Sequence, residues 1–169
     1  MGGGGSKKKV VMDGLSRREL AFDALEVTRP SDLADAQDTD GRTIRAYVSG
    51  GRDVLRSWER RSTAVVVLPD ERGWRDKDVR VFADEIAFQN QVVVVVPDIH
   101  SGLALAPPYD DAALEAWCDN MELPNNQARI LDDVIASLQF AREEYGAEAL
   151  SIAGVGHGAG RALSVCAHF

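Results

Sequence analysis

SIAGVGHGAGRAL, residues 151–163, reads as a buried strand, a glycine corner and the start of a helix. Working back from it, the same alternation repeats. AVVVL, residues 64–68, is a continuous apolar run rich in β-branched residues and predicts a buried parallel strand. QVVVVVPD, residues 91–98, predicts a second, and ALSIAGV, residues 149–155, a third. Between the first two, Asp76 can cap a helix whose apolar positions Val79, Phe82, Ala83 and Ile86 fit helical spacing. Between the second and third, Ile130, Leu131, Val134, Ile135, Leu138 and Ala141 form an apolar stripe. Asn125 or Asn126 is the expected cap of that helix and Gly146 its stop. Residues 99–124, with Pro107-Pro108 and Trp117, read as a long irregular connection of the kind that carries function. Strands alternating with helices predict an α/β fold: a doubly wound, mostly parallel sheet with helices on both faces.

The corner admits three readings. In a nucleophile elbow, small residues two before and two after the nucleophile let a sharp strand-to-helix turn form. Gly154 and Gly158 supply them, but the central position is Gly156, which has no side chain and cannot form a covalent intermediate. Residues 154–159 also match Gly-x-Gly-x-x-Gly/Ala, a dinucleotide-binding pattern. The acidic ribose-binding residue expected about 20 positions later would fall beyond Phe169. In the third reading the glycines simply let helix and sheet pack closely.

Size and composition narrow the classes. The chain has 169 residues, which predicts one domain with a sizeable core. Its net charge of -8 argues against nucleic acid as a partner, because phosphate recognition needs a basic face. The longest apolar run, Val92 to Val96, is strand-sized and too short to span a bilayer. Cys118 and Cys166 are too few for a disulfide framework and favour a reducing intracellular compartment or organelle. No cofactor and no metal is expected, since no Cys/His cluster has zinc spacing.

The N-terminal part is less regular. Residues 1–9, MGGGGSKKK, read as a flexible leader. Residues 10–40 read as an extension, with SRRELAFDALEV (16–27) as a short amphipathic helix. The domain proper is placed at 41–169, opening with RTIRAYVS as a half-exposed edge strand followed by Gly50-Gly51.

From Asp40 onward the chain resembles the dienelactone hydrolase family of α/β-hydrolases. The matching pieces run in order: DGRTIRAYVSGG, AVVVLPDERGW, DVRVFADEIAFQNQVVVVVPDIHSG, a tryptophan-bearing loop, NNQARILDDVIASLQFARE and LSIAGVGHGAGRAL. The resemblance implies an α/β-hydrolase-type sheet, here its N-terminal portion. It also implies a Cys-His-Asp triad acting on small cyclic esters and lactones. Carried over residue by residue, the nucleophile falls on Gly156, and the acid that steers it on Asp70 with Glu71 beside it. The oxyanion-hole amides fall near Arg72 and His157. Where the family often has a substrate-binding arginine, this chain has His100-Ser101-Gly102. The family's triad Asp and His lie on later strands, beyond Phe169.

The resulting expectation is a dienelactone hydrolase-like domain without catalysis, serving as a structural or binding subunit. A protein partner or a further C-terminal half would cover the open sheet edge. The alternative is an active ester or lactone hydrolase of which this is the N-terminal part. Asp70, Glu71, Asp98 and His100 all fall at carboxyl ends of strands, where open α/β sheets bind ligands. With Gly156 they form the expected pocket.

Overall fold

A computed structural model of the chain describes residues 25–28, 43–50 and 63–167. The leader and most of the 10–40 extension lie outside them. Five strands, β1 (Leu25–Thr28), β2 (Thr43–Ser49), β3 (Thr63–Leu68), β4 (Val93–Pro97) and β5 (Ala149–Gly154), form one sheet in the order β1-β2-β4-β3-β5. Among the described residues four helices accompany them: α1 (Lys77–Asn90), α2 (Asp111–Met121), α3 (Pro124–Tyr145) and α4 (His157–Cys166). The fold is of α/β-hydrolase type.

The period-two alternation of the valine runs sorts the core. Ala64, Val66 and Leu68 of β3 and Val93 and Val95 of β4 face α3 and α4, where Ile130, Val134, Leu138, Ala141, Ala162 and Val165 meet them. Val67 of β3 and Val94 and Val96 of β4 face the other way, onto Val79, Ala83 and Ala87 of α1. Because both faces of β3 and β4 are covered, residues 64–68 and 92–96 are all apolar, which is why they read as unbroken runs. β4 pairs parallel to β3 from Ala64↔Val93, and β5 pairs parallel to β3 from Thr63↔Ala149 to Leu68↔Gly154.

Several sequence expectations are corrected. The segment 43–49 is not an edge: β2 pairs antiparallel with β4 and, on its other side, with β1, and Ile44, Ala46 and Tyr47 are buried. Of the helix expected over 16–27, residues 25–27 belong instead to strand β1, because the β2 edge offers hydrogen bonds that a short isolated helix cannot match, and residues 16–24 lie outside the described residues. The sheet is therefore mixed, with an antiparallel ribbon beside three parallel strands. The 99–124 connection contains a helix, α2, capped by Asp110, whose carboxylate accepts from the Ala113 N–H at 2.8 Å. Helix α3 starts without a side-chain cap: Pro124 stands at its first position, where the missing N–H costs nothing, ahead of both asparagines. On α1, Phe82 stays 40% exposed, and Ala87 takes the inward place. β5 is only partly buried, with Ala149 and Ser151 exposed. Asp76 does cap α1, accepting from Asp78 N–H, and Gly146 ends α3 at φ 66°.

Topology fixes where a ligand would bind. The chain leaves β3 for α1 on one face of the sheet. It leaves β4 and β5 for α3 and α4 on the other face. The connections diverge at the carboxyl end of β3, the switch point at which open α/β sheets form a crevice.

Candidate functional site

Two glycines let α4 start against the end of β3. A Cβ on Gly158 would lie 2.2 Å from the Leu68 carbonyl oxygen, and one on Gly154 would lie 2.3 Å from the Gly158 carbonyl oxygen. Val155 N–H donates to Leu68 O at 3.0 Å and Gly158 N–H to Val155 O at 2.8 Å, closing the corner. Gly156 caps α4 at φ 51°, ψ −123°, a conformation that side chains rarely tolerate outside functional corners. Its backbone points an imagined Cβ toward Asp70, 3.0 Å from Asp70 Cβ, and leaves it 3.7 Å from Glu71 Oε2.

The β3–α1 loop supplies two carboxylates with different partners. Asp70 is buried and turns to Arg72. Its Oδ1 accepts from the Arg72 N–H at 3.0 Å, and its Oδ2 accepts from Arg72 Nη2 at 3.0 Å and Nε at 3.1 Å. The same guanidinium reaches Asp76 and Asp78. The Arg72 amide, expected to line an oxyanion hole, is thus taken up by Asp70. Glu71 is the acid that stands over the corner. Its Oε1 accepts from Tyr109 Oη at 2.5 Å, and its carbonyl accepts from Leu105 N–H at 2.8 Å. Burial pushes the Glu71 carboxyl up, but the Tyr109 hydroxyl, a backbone donor and the Arg72 charge outweigh it and hold the group below its usual range.

The β4–α2 loop brings His100. Arg129 of α3 braces this loop, donating from Nη1 to Ile99 O at 2.9 Å and to Ser101 Oγ at 2.6 Å. Ser101 takes a left-handed φ of 51° in the same turn. His100 is fully buried, and neither ring nitrogen has a hydrogen-bond partner among the described residues. Burial, then the neighbouring His157 and Arg129, push its pKa down to about 3, so the ring is neutral. Asp98 is half-buried, and its Oδ1 accepts from Gly102 N–H at 3.3 Å in the turn, outside this cluster.

Trp117 of α2 joins the two histidines. Its ring lies edge-on to both, 5.0 Å from His100 and 4.8 Å from His157, and the histidine centroids are 6.3 Å apart. Trp117 Nε1 donates to Leu103 O at 2.6 Å, anchoring α2 over the crevice. His157 is held in turn by Arg161, whose Nε donates to His157 Nε2 at 3.1 Å and whose Nη2 donates to Glu122 Oε1. Burial and then the Arg161 charge lower the His157 pKa. Beside them is an open depression of about 190 Å³ lined by Glu122, His157, Gly160, Arg161 and Ser164.

Of the residues singled out in the sequence, the crevice brings together Asp70, Glu71, His100, Gly156 and His157. Asp98 and Arg72 are spent on local structure. Sequence reasoning singled out Trp117 only as part of the long connection, and missed Tyr109, Glu122, Arg129 and Arg161. Arg161 and Arg129 carried a readable signal, their i,i+4 spacing from His157 and to Asp133 on one helix face. No group of three or more His, Cys, Asp or Glu among the described residues could hold a metal ion. None of the described helices is long and apolar enough to cross a membrane. Cys118 and Cys166 are free thiols.

No protein-family model matches the sequence, and no curated protein matches it. Solved structures do match in shape. One is a dienelactone hydrolase-like promiscuous phosphotriesterase from metagenomic libraries, with a TM-score of 0.57 at 17% identity, covering 85% of this chain and 53% of its own. A cold-adapted esterase from an Arctic intertidal metagenomic library gives 0.53 at 20% identity over 92% of this chain and 60% of its own. A dienelactone hydrolase from Anabaena variabilis gives 0.50 at 11% identity over 86% and 56%. The protein therefore shares the fold of dienelactone hydrolase-like α/β-hydrolases, and it spans a little over half the length of these structures.

Proposed function

We propose that this chain is a dienelactone hydrolase-like domain that binds a small molecule in the crevice at the end of β3 and does not cleave it. One observation carries the reading. Gly156 occupies the centre of a strand-to-helix corner, in the strained backbone conformation of a nucleophile elbow, with no side chain to attack. The His157 N–H stands in the first turn of α4, where helical amides lack an internal acceptor, and can still orient a carbonyl oxygen. Orientation without a nucleophile gives binding and no acyl transfer. The outer edge of β5 has no strand partner among the described residues and carries no charged side chain from Ala149 to Gly154. Such an edge invites pairing, whether with a partner protein or with further strands of a C-terminal half.

Glu71 and His157 on one crevice support a second reading, an ester or lactone hydrolase that uses a carboxylate and an imidazole on water. Steady-state assays with aryl esters and small lactones separate the two. The binding reading expects no turnover above buffer. Saturable turnover that is lost in Glu71→Gln and retained in Gly156→Ala would establish the second.

A further inference from the structure

The depression of about 190 Å³ beside the corner is lined by Glu122 from the end of α2 and by His157, Gly160, Arg161 and Ser164 of α4. A water molecule's share of liquid volume is about 30 Å³, so the space suits a few waters or one small organic molecule. Gly160 leaves it open, since a Cβ there would meet nothing within 4 Å. Arg161 brings a buried charge to its wall, with only 9% of the side chain exposed. Nε donates to His157 Nε2 at 3.1 Å, which fixes the plane of the guanidinium. Nη2 donates to Glu122 Oε1. Nη1 has no hydrogen-bond partner among the described residues, yet it keeps contact with solvent. Because the rest of Arg161 is enclosed, Nη1 opens onto the depression that the residue lines.

The outer edge of the guanidinium is thus half used. Parallel N–H donors on Nη1 and Nη2 match the two oxygens of a carboxylate, and the bidentate pair is the strong one. Glu122 does not make it. It gives one oxygen to Nη2, and its other oxygen, Oε2, accepts from Gln127 Nε2 at 2.8 Å. Its side chain is 57% exposed, so it returns to water at small cost. We infer that Arg161 anchors a site for a small monocarboxylate, which binds across Nη1 and Nη2 and displaces the carboxylate of Glu122. Ser164, whose Oγ donates to Gly160 O at 3.1 Å, lines the same wall and offers the ligand a hydroxyl. A neutral carbonyl has no charge with which to compete against Glu122. A phosphate dianion would lie against the charge of Glu122, which Gln127 keeps nearby. The inference does not rest on the crevice being a binding site, and ester turnover there would leave it unchanged.

Titration of the ¹⁵N-labelled full chain with sodium propionate at constant ionic strength, with chloride as the control, tests this. The expected result is saturable movement of the Gly160 amide and the Arg161 Nε–H signals, absent with chloride. Glu122→Gln removes the competing charge and should tighten propionate binding about threefold or more, the worth of an ion pair with an exposed member. Gly160→Leu puts a side chain into the open space and should abolish binding while α4 keeps its helical signals. Arg161→Lys keeps the charge without the fork and should lose most of the affinity. Inorganic phosphate at neutral pH should bind more weakly than propionate. No saturable movement in wild type and Glu122→Gln overturns the inference. So does undiminished binding in Gly160→Leu or Arg161→Lys, or an affinity that is unchanged or weaker in Glu122→Gln. Phosphate binding as tightly as propionate would overturn the assignment to a monocarboxylate. If Arg161→Lys does not fold, Gly160→Leu, at an exposed position, decides the matter alone.

Discussion

Alanine at position 158 should unfold the corner from one side, and alanine two residues later should not. A Cβ on Gly158 would lie 2.2 Å from Leu68 O, 2.6 Å from Leu68 C and 2.6 Å from Pro69 O, all backbone atoms that cannot rotate away. Restoring ordinary contact at about 3.4 Å requires α4 to retreat by roughly 1 Å at its first turn, an overpacking strain of about 1–3 kcal/mol. The retreat also stretches the Val155 N–H to Leu68 O bond, which contributes about 1 kcal/mol. It loosens Ala162 and Val165 against the sheet as well. The helical preference of alanine over glycine returns about 1 kcal/mol. The net expectation is a loss of about 1–3 kcal/mol, or roughly 3–10 °C in Tm for a domain of this size. Gly160 lies on the same helix with nothing within 4 Å of its imagined Cβ, so Gly160→Ala should gain about 0.5–1 kcal/mol. Urea titrations followed by circular dichroism give both numbers. A Gly158→Ala variant as stable as wild type would refute the close approach of α4 to β3 that defines the corner.

Three other perturbations follow from named contacts. His100 has a folded-state pKa of about 3 because burial disfavours its charge, whereas the unfolded chain protonates near 6.5, so the unfolded state binds more protons between those values. Its contribution is complete above pH 6.5 and declines as pH falls toward 3. Replacing it in His100→Phe should flatten the stability profile between pH 6.5 and 4.5 by up to about 1.4 kcal/mol per pH unit in denaturant titrations. Trp117→Ala removes the ring packed on both histidines and its bond to Leu103 O. The variant should lose about 3–5 kcal/mol and the slow hydrogen exchange of α2. Asp70→Asn weakens the charge-assisted bonds to Arg72 and should cost about 1–3 kcal/mol in urea, with little change in the fluorescence of Trp117.

The parallel half of the fold was legible because burial on both faces leaves valine little competition: residues 64–68 and 93–97 could be little else. β2 was legible as a strand but its place inside the sheet was not, since that is set by which edge of β4 was open, a fact that lies about 50 residues away in sequence. Helix α2 hid behind Pro107-Pro108, although Asp110 followed by Ala113 was a cap that could have been read. At the site, the expected pocket of Asp70, Glu71, Asp98, His100 and Gly156 was drawn from strand ends alone, because carboxyl ends of parallel strands share one rim; in the structure Asp98 turns to Gly102 instead. Which acid stands over the corner could not be read from adjacent residues. It depends on Arg72 drawing Asp70 away and Tyr109, 38 positions on, holding Glu71. The Glu122–Arg161–His157 chain likewise spans 39 positions and needed the packing of α2 against α4 to exist.

The central claim is that the nucleophile position of the corner, Gly156, carries no side chain to acylate. Intact-mass spectrometry of the protein quenched within seconds of mixing with an activated aryl ester tests it most directly. The account predicts an unmodified mass and no burst of released phenol. A burst stoichiometric with protein, with one acyl group added and mapped by peptide sequencing to the crevice, would contradict it.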